Sequence, residues 1–374
     1  MLDKIKKKIM TVTGIGRVVT NVNNTNYNRN CLIRYINEPF EKGSDDSHQN
    51  TVQVIEIAKL IGNLGYNVDV IDYISEYVVL KNKYDAVFDI SVCKKPIYIN
   101  ALKNGAKKIA YLTGSNPTFA NAAEMDRIRA VRERRGAKLI PRRQAPLMDL
   151  KIENFDLVIM IGSRYTLDTY HNFHFRKSAI VPNTGYEFDF KFDKSRKDPY
   201  SFLFFGSSGA VHKGLDLLLE VFSEIGHPYK LYVCGNFENE KDFVREYARE
   251  LYRTSNIFSM GFVDVMSQEF KKLCEECVFT ILPSCSEGCA GSIATCMSGG
   301  LIPICSRICG YDDNEVIILE DCSKERIRET IQCVSNMKIE DLARKSDEAV
   351  NITKTKYSMK NFKEQMEAAL REVL

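Results

Sequence analysis

The sequence predicts an α/β protein built as two Rossmann-like domains that face each other across a cleft. Two observations carry this. Apolar runs of strand length alternate with amphipathic stretches of helix length, which is the pattern of parallel sheets with helical crossovers. The alternation breaks near residue 185 and then restarts, giving two units of similar size. At 374 residues, 44% hydrophobic and 27% charged, the chain is long enough for two domains with their own cores.

In the first unit, "CLIRYI" at 31–36 reads as a strand. A helix is expected over 51–64, with Val54, Ile57, Ala58 and Ile61 on one face and Gly65 as its terminator. "NVDVID", "DAVFDI", "KKIAYLT" and "FDLVIMI" continue the strand series. "VPNTGYEFDFKFDKSRKDPYS" is charged and turn-rich and forms the break. In the second unit "SFLFFGS", "YKLYVCG", "IFSMGF", "VFTILPS" and "LIPICS" read as strands. Helices are expected at 215–225, 240–252 and 267–277. The expected division is an amino-terminal domain over 1–184, a carboxyl-terminal domain over 185–345, and a helical segment over 346–374 packing back on the first domain.

Two strand-to-helix turns in the second unit carry chemistry. "GSSGAVHKGLDLLLEVF" begins at Gly206, and a turn of glycines, Ser207, Ser208 and Lys213 can bind phosphate through backbone amides and the ammonium. The spacing is not that of a P-loop; the plainer reading is a turn with a solvated lysine. "SEGCAGSIATCMSGG" places a lone carboxylate, Glu287, before Gly288, Cys289, Ala290 and Gly291. Small residues there let a ligand approach the backbone. A helix starting near Ser292 turns its amino end to an anion. Glu287 beside that anion suits sugar hydroxyls; the plainer reading is a surface loop residue.

The order of these motifs from about 201 to 320 resembles the donor-binding domain of retaining glycosyltransferases of family 4, which have the two-domain GT-B fold. "VPNTG" resembles the stretch that precedes the interdomain linker in that family. The resemblance implies transfer of a sugar from a nucleotide-sugar donor to a glycan or glycolipid acceptor with retention of configuration. Lys213 matches the lysine on the donor diphosphate, and Glu287 matches the first glutamate of the E-x7-E motif. Gly288 to Gly291 match the loop whose amides approach sugar and phosphate. The second glutamate of the motif, which holds the ribose, falls on Thr295. The basic residue that precedes the lysine falls on Ser207 or Ser208. These departures also admit a non-catalytic GT-B scaffold that binds sugar or serves as a partner subunit. On the catalytic reading the leaving diphosphate itself takes the acceptor's proton, and neither metal nor cofactor is required.

The acceptor is expected at the amino-terminal strand ends, at His48, Ser115 and Asn116. From Glu124 to Arg143 the chain holds eight basic and three acidic residues, a net of +5. Arg127, Arg129, Arg132, Arg134, Arg135, Arg142 and Arg143 could meet an anionic membrane surface or lipid-linked acceptor. The alternative is a solvated helix with its own ion pairs. Few aromatic residues accompany them, which argues against nucleic acid, and no nucleic-acid partner is expected. "CEEC" with Cys285 and Cys289 suggests zinc, but a helix and a loop separated by a strand are a poor ligand frame. The twelve scattered cysteines and an amino terminus without an apolar core region predict a cytoplasmic protein with reduced thiols, acting in the cytosol or as a peripheral protein on the cytosolic membrane face. No apolar run approaches the ~20 residues that span a bilayer.

Overall fold

A computed structural model describes residues 16–43, 49–92, 96–148, 150–188, 192–193 and 196–374. The first sheet contains β1 (Val18–Val19), β2 (Arg29–Tyr35), β3 (Tyr66–Asp72), β4 (Tyr84–Asp89), β5 (Leu102–Leu112), β6 (Leu157–Ile161) and β7 (Ser178–Val181). Its order is β1-β3-β2-β4-β5-β6-β7, parallel except for the antiparallel edge strand β1. The helices of this half are α1 (Glu38–Lys42), α2 (Gln49–Asn63), α3 (Pro117–Arg135) and α4 (Arg164–Asp168). As the periodicity predicts, α2 buries Val54, Ile57, Ala58 and Ile61. The chain reverses after it through Gly65 at φ +89°, a backbone state that L side chains rarely adopt.

The second sheet contains β8 (Asp198–Phe205), β9 (Lys230–Cys234), β10 (Ile257–Gly261), β11 (Cys277–Leu282), β12 (Ile302–Ser306) and β13 (Ile317–Leu319). All its pairings are parallel, in the order β10-β9-β8-β11-β12-β13. The runs "FLFF" and "VFTIL" become its central strands because both of their faces are covered. Phe202 and Phe279 stack between them at 5.0 Å. The helices are α5 (Leu215–Ile225), α6 (Lys241–Glu246), α7 (Ala248–Arg253), α8 (Gln268–Glu276), α9 (Gly291–Ser298), α10 (Lys324–Ser335), α11 (Ile339–Thr355) and α12 (Met359–Arg371). The helix expected over 240–252 is two, broken at buried Tyr247, whose hydroxyl donates to Glu220. The last helix, α12, returns to the first half, where Lys363 pairs with Glu56 at 3.1 Å.

The strand order reverses between β8 and β11, and in open parallel sheets ligands bind outside the carboxyl ends at such a point. Both motif turns leave the sheet there.

Candidate active site

After β8 the chain makes a tight turn over 206–214. A Cβ at Gly206 would sit 3.1 Å from Cδ of Lys213, so the glycine lets the lysine stem lie against the backbone. Gly214, at φ +75°, caps the amino end of α5 where a Cβ would be 2.5 Å from the Pro283 carbonyl. This close packing brings the two turns together. Lys213 Nζ donates to Glu287 Oε1 at 2.6 Å, and Ser284 Oγ donates to the same oxygen at 2.9 Å. The side chains are only 6% and 12% exposed, so the pair is shielded from water. Among the described residues nothing hydrogen-bonds the other carboxylate oxygen, Oε2. Burial alone would raise the Glu287 carboxyl. The Lys213 ammonium, followed by His212 and Arg143, overrides this and holds it at about 2.

His212 is buried beside this pair. Its Nε2 lies 2.6 Å from the Ser286 carbonyl and is assigned as the donor. Its Nδ1 is buried without a partner among the described residues. Burial is the main reason its pKa falls, which keeps the ring neutral near pH 7. In the same turn the amides of Gly209 and Ala210 donate to the Glu240 carboxylate at 2.5 and 3.2 Å. Ser207 and Ser208 are exposed at the tip of the turn.

The loop that follows Glu287 meets the amino-terminal domain directly. The Glu287 carbonyl accepts from the amide of Ser115 at 3.1 Å and also from its hydroxyl. The Gly288 carbonyl accepts from Thr166 Oγ1 at 2.7 Å, and the Cys289 carbonyl from Asn183 Nδ2 at 2.8 Å. A Cβ on Gly288 would lie 2.6 Å from the Thr113 carbonyl oxygen and 2.9 Å from that of Ile161. The Ala290 carbonyl accepts from Tyr311 at 2.7 Å. At Gly288 the absent side chain admits backbone of the amino-terminal domain, and at Gly291 it admits the Gln49 side chain.

Helix α9 begins at Gly291, with Ser292 half-buried in its first turn. Thr295 is 2% exposed and donates to the Gly291 carbonyl at 2.8 Å. Gln49 of α2 reaches Thr295 at 3.4 Å and also bonds the Thr184 carbonyl. Gln53 bonds Asn183 and Thr184 at 2.9 and 3.0 Å, so "VPNTG" clasps α2 to the loop. Of the expected acceptor residues, Ser115 is brought to Glu287. Asn116 caps α3, accepting from the Thr118 amide at 2.8 Å. His48 lies outside the described residues.

The arginine-rich stretch is not laid out as a free membrane-facing patch. Arg134 of α3 bonds Asp216 at 2.7 Å and Glu220 at 3.2 Å, both on α5 of the other domain. Arg135 bonds Glu246 at 2.8 Å and Glu250 at 2.9 Å and lies over the Tyr247 ring. Arg142 pairs with Asp242, and Arg127 donates to the Pro283 carbonyl at 3.0 Å. Arg129 pairs with its neighbour Asp126 on the exposed face. Three of the seven arginines thus meet acidic residues of the second domain, and a fourth meets its backbone. Arg143 alone of the stretch runs over the Gly209 turn. It would lie 2.6 Å, at Cγ, from a Gly209 Cβ.

Sequence reading missed Gln49, Gln53, Ser284 and Glu240 as members of this region. Each sits in an unremarkable local context, and only the docking of distant segments identifies it. Among the described residues no group of three His, Cys, Asp or Glu side chains could hold a metal ion, and no helix is long and apolar enough to cross a membrane.

Residues 199–336 match the family model described as Glycosyl transferases group 1. No curated protein matches the chain significantly. Solved structures with the same architecture include sucrose-phosphate synthase from Thermosynechococcus elongatus, with 12% identity and a TM-score of 0.62 over 91% of this chain and 98% of that one. Anabaena HepE, solved with UDP and glucose, is 11% identical with a TM-score of 0.59 over 92% and 99%. TarM of S. aureus is 14% identical with a TM-score of 0.50 over 77% of this chain, which spans about half (53%) of TarM. The protein has the GT-B fold, and its carboxyl-terminal domain carries the match to group 1 glycosyl transferases that, with the fold, supports a glycosyltransferase.

Proposed function

We propose that the protein transfers a sugar from a nucleoside diphosphate sugar to a glycan or glycolipid acceptor, with retention of configuration. The observation that carries this is the buried Lys213–Glu287 pair at the point where the second sheet reverses its strand order. Lys213 and the amino end of α9 would hold the diphosphate, and the free Oε2 of Glu287 would accept from sugar hydroxyls. As the bond from the anomeric carbon to the diphosphate oxygen breaks, that oxygen takes the acceptor's proton. The acceptor oxygen then bonds the same face of the sugar. The protein's contribution is electrostatic: a fixed cation and helix amides facing the developing negative charge. No metal is needed for this step. Entry of a donor requires the loop at 287–291 to part from the amino-terminal strand ends. With most of the arginines engaged between domains, a membrane-bound acceptor would be recognised elsewhere on the amino-terminal domain.

A second reading is a non-catalytic scaffold. Thr295, where the family's ribose carboxylate would stand, is sealed behind Gln49, and this favours it. A thermal-shift panel of nucleotides and nucleotide sugars, followed by donor hydrolysis assays, separates the two. Catalysis predicts a shift with one donor and loss of turnover by orders of magnitude in Glu287→Gln and Lys213→Ala. Full activity in both variants would remove the site, and no nucleotide binding at all would leave the scaffold.

A further inference from the structure

The turn at 206–214 carries the neutral Ser207 and Ser208, and Lys213 is its one lysine or arginine. From the position of its side chain over that turn, we infer that Arg143 of the amino-terminal domain supplies a second cation, its guanidinium, to the donor diphosphate. This rests on the proposed function.

Three observations place Arg143 for the task. Its side chain crosses the turn at Gly209, where a Cβ would meet its Cγ at 2.6 Å and its Cδ at 3.1 Å. Gly209, at φ +91°, leaves that path open. The backbone that carries Arg143 is held from both domains. Its amide and that of Arg142 donate to the buried Glu124 carboxylate at 2.9 and 2.8 Å. On the other side, Arg142 and the Ile140 amide bond Asp242 of α6. Finally, the Arg143 guanidinium is exposed and has no hydrogen-bond or ion-pair partner among the described residues. Its neighbours Arg134, Arg135 and Arg142 are all paired.

The electrostatics agree with this placement. Arg143 contributes to lowering both the Glu287 carboxyl and the His212 ring, so its charge is felt at the buried pair. A guanidinium presents a planar fork that matches phosphate oxygens, which a serine cannot replace. The site would then be assembled from Lys213 of one domain and Arg143 of the other.

The test is isothermal calorimetry with inorganic pyrophosphate and with uridine, guanosine, adenosine and thymidine diphosphates. Pyrophosphate reads the diphosphate cradle without the base. Removal of one charge-assisted contact in Arg143→Ala should weaken binding about tenfold to a hundredfold. Arg143→Gln, which keeps the stem, should lose as much, and unchanged melting in either variant separates the effect from unfolding. Adding Ser208→Arg to Arg143→Gln should recover affinity. Arg129→Ala removes an equal charge from the exposed face and should bind as the wild type does. If Lys213→Ala loses binding while both Arg143 variants retain it, the inference is overturned and the proposed function stands. If Arg129→Ala weakens binding as much as Arg143→Ala, the effect is general charge and the inference is again overturned. If the wild type binds none of the probes, both fall.

Discussion

Lys213→Met should expose how much the buried pair contributes and how that contribution depends on pH. Glu287 titrates at about 2 instead of its ordinary 4.5. At about 1.4 kcal/mol per pH unit, that difference is worth roughly 3 kcal/mol of stability. Between those two pH values the unfolded chain holds a proton that the folded one lacks. The contribution is therefore full above pH 4.5 and lost as pH falls through 2. Taking away the ammonium leaves a carboxylate that burial pushes upward, the first influence acting on it. Breaking such a pair costs about 3–5 kcal/mol. For a domain of this size, melting should fall by about 2–4 °C per kcal/mol. Calorimetric scans at pH 7 and pH 4 are the assay. The gap between wild type and variant should narrow at pH 4, where the stranded carboxyl protonates. Lys213→Met combined with Glu287→Leu, which replaces the pair by apolar groups, should regain most of the stability. A single variant that melts with the wild type at pH 7, or a gap that ignores pH, would refute the account.

Three other outcomes follow from the same contacts. Gly288→Ala puts a methyl against the backbone oxygens of Thr113 and Ile161, neither of which can rotate away. Overpacking of this kind costs about 1–3 kcal/mol, and the radius of gyration in X-ray scattering should rise as the domains part; unchanged scattering would contradict the closed contact. Asp216, pushed up to about 6 by burial against the opposing pull of Arg127 and Arg134, holds a proton when folded that it has lost when unfolded. Its contribution thus declines as pH rises from 3.8 through 6. Asp216→Asn should remove that decline from a series of urea melts; an identical pH profile counts against it. Thr295→Glu should raise affinity for a nucleoside diphosphate relative to pyrophosphate in calorimetry, with some loss of stability. Equal changes for both probes would sink the ribose reading.

The parallel sheets were legible because their strands are covered on both faces and so appear as unbroken apolar runs. The short edge strands β1, β7 and β13 lack that pattern and were not anticipated. The two motif turns were legible because glycines at a strand end have a local cause. The roles of the arginines were not. A helix reveals in its sequence which neighbours lie three or four residues away, but Arg134 and Asp216 are 82 apart. The excess charge therefore read either as an anion-facing surface or as a solvated helix with its own ion pairs, and neither reading contained the partners that Arg134, Arg135 and Arg142 find on α5, α6 and α7. Glu240 shows the same limit, since nothing near it in sequence indicates that it occupies the amides of Gly209 and Ala210. Asn116 shows a second local reading. A Ser-Asn-Pro at a strand end reads as a ligand contact, but Asn before Pro117 at the first helical position also has the chemistry of a helix cap, and its side chain makes that cap.

The domain interface has two chemically different ends, and this sets how a donor could enter. At the loop, Ser115, Thr166, Asn183 and Gln49 make neutral hydrogen bonds to backbone carbonyls or a hydroxyl. Each is worth about 0.5–1.5 kcal/mol net, and water can replace it on separation. At the other end, Arg134, Arg135 and Arg142 make charge-assisted bonds to five carboxylates. Such bonds are roughly twice as strong. The less costly motion is therefore a rotation that opens the loop while the arginine end stays docked. It would uncover Glu287 and α9 yet keep Arg143 over the Gly209 turn, so one cation would already be in place when a diphosphate arrives. Hydrogen exchange gives this motion a measurable form. Amides at 113–116 and 286–291 should exchange faster than those of α3 next to Arg134, and the reverse order would place the hinge at the loop instead.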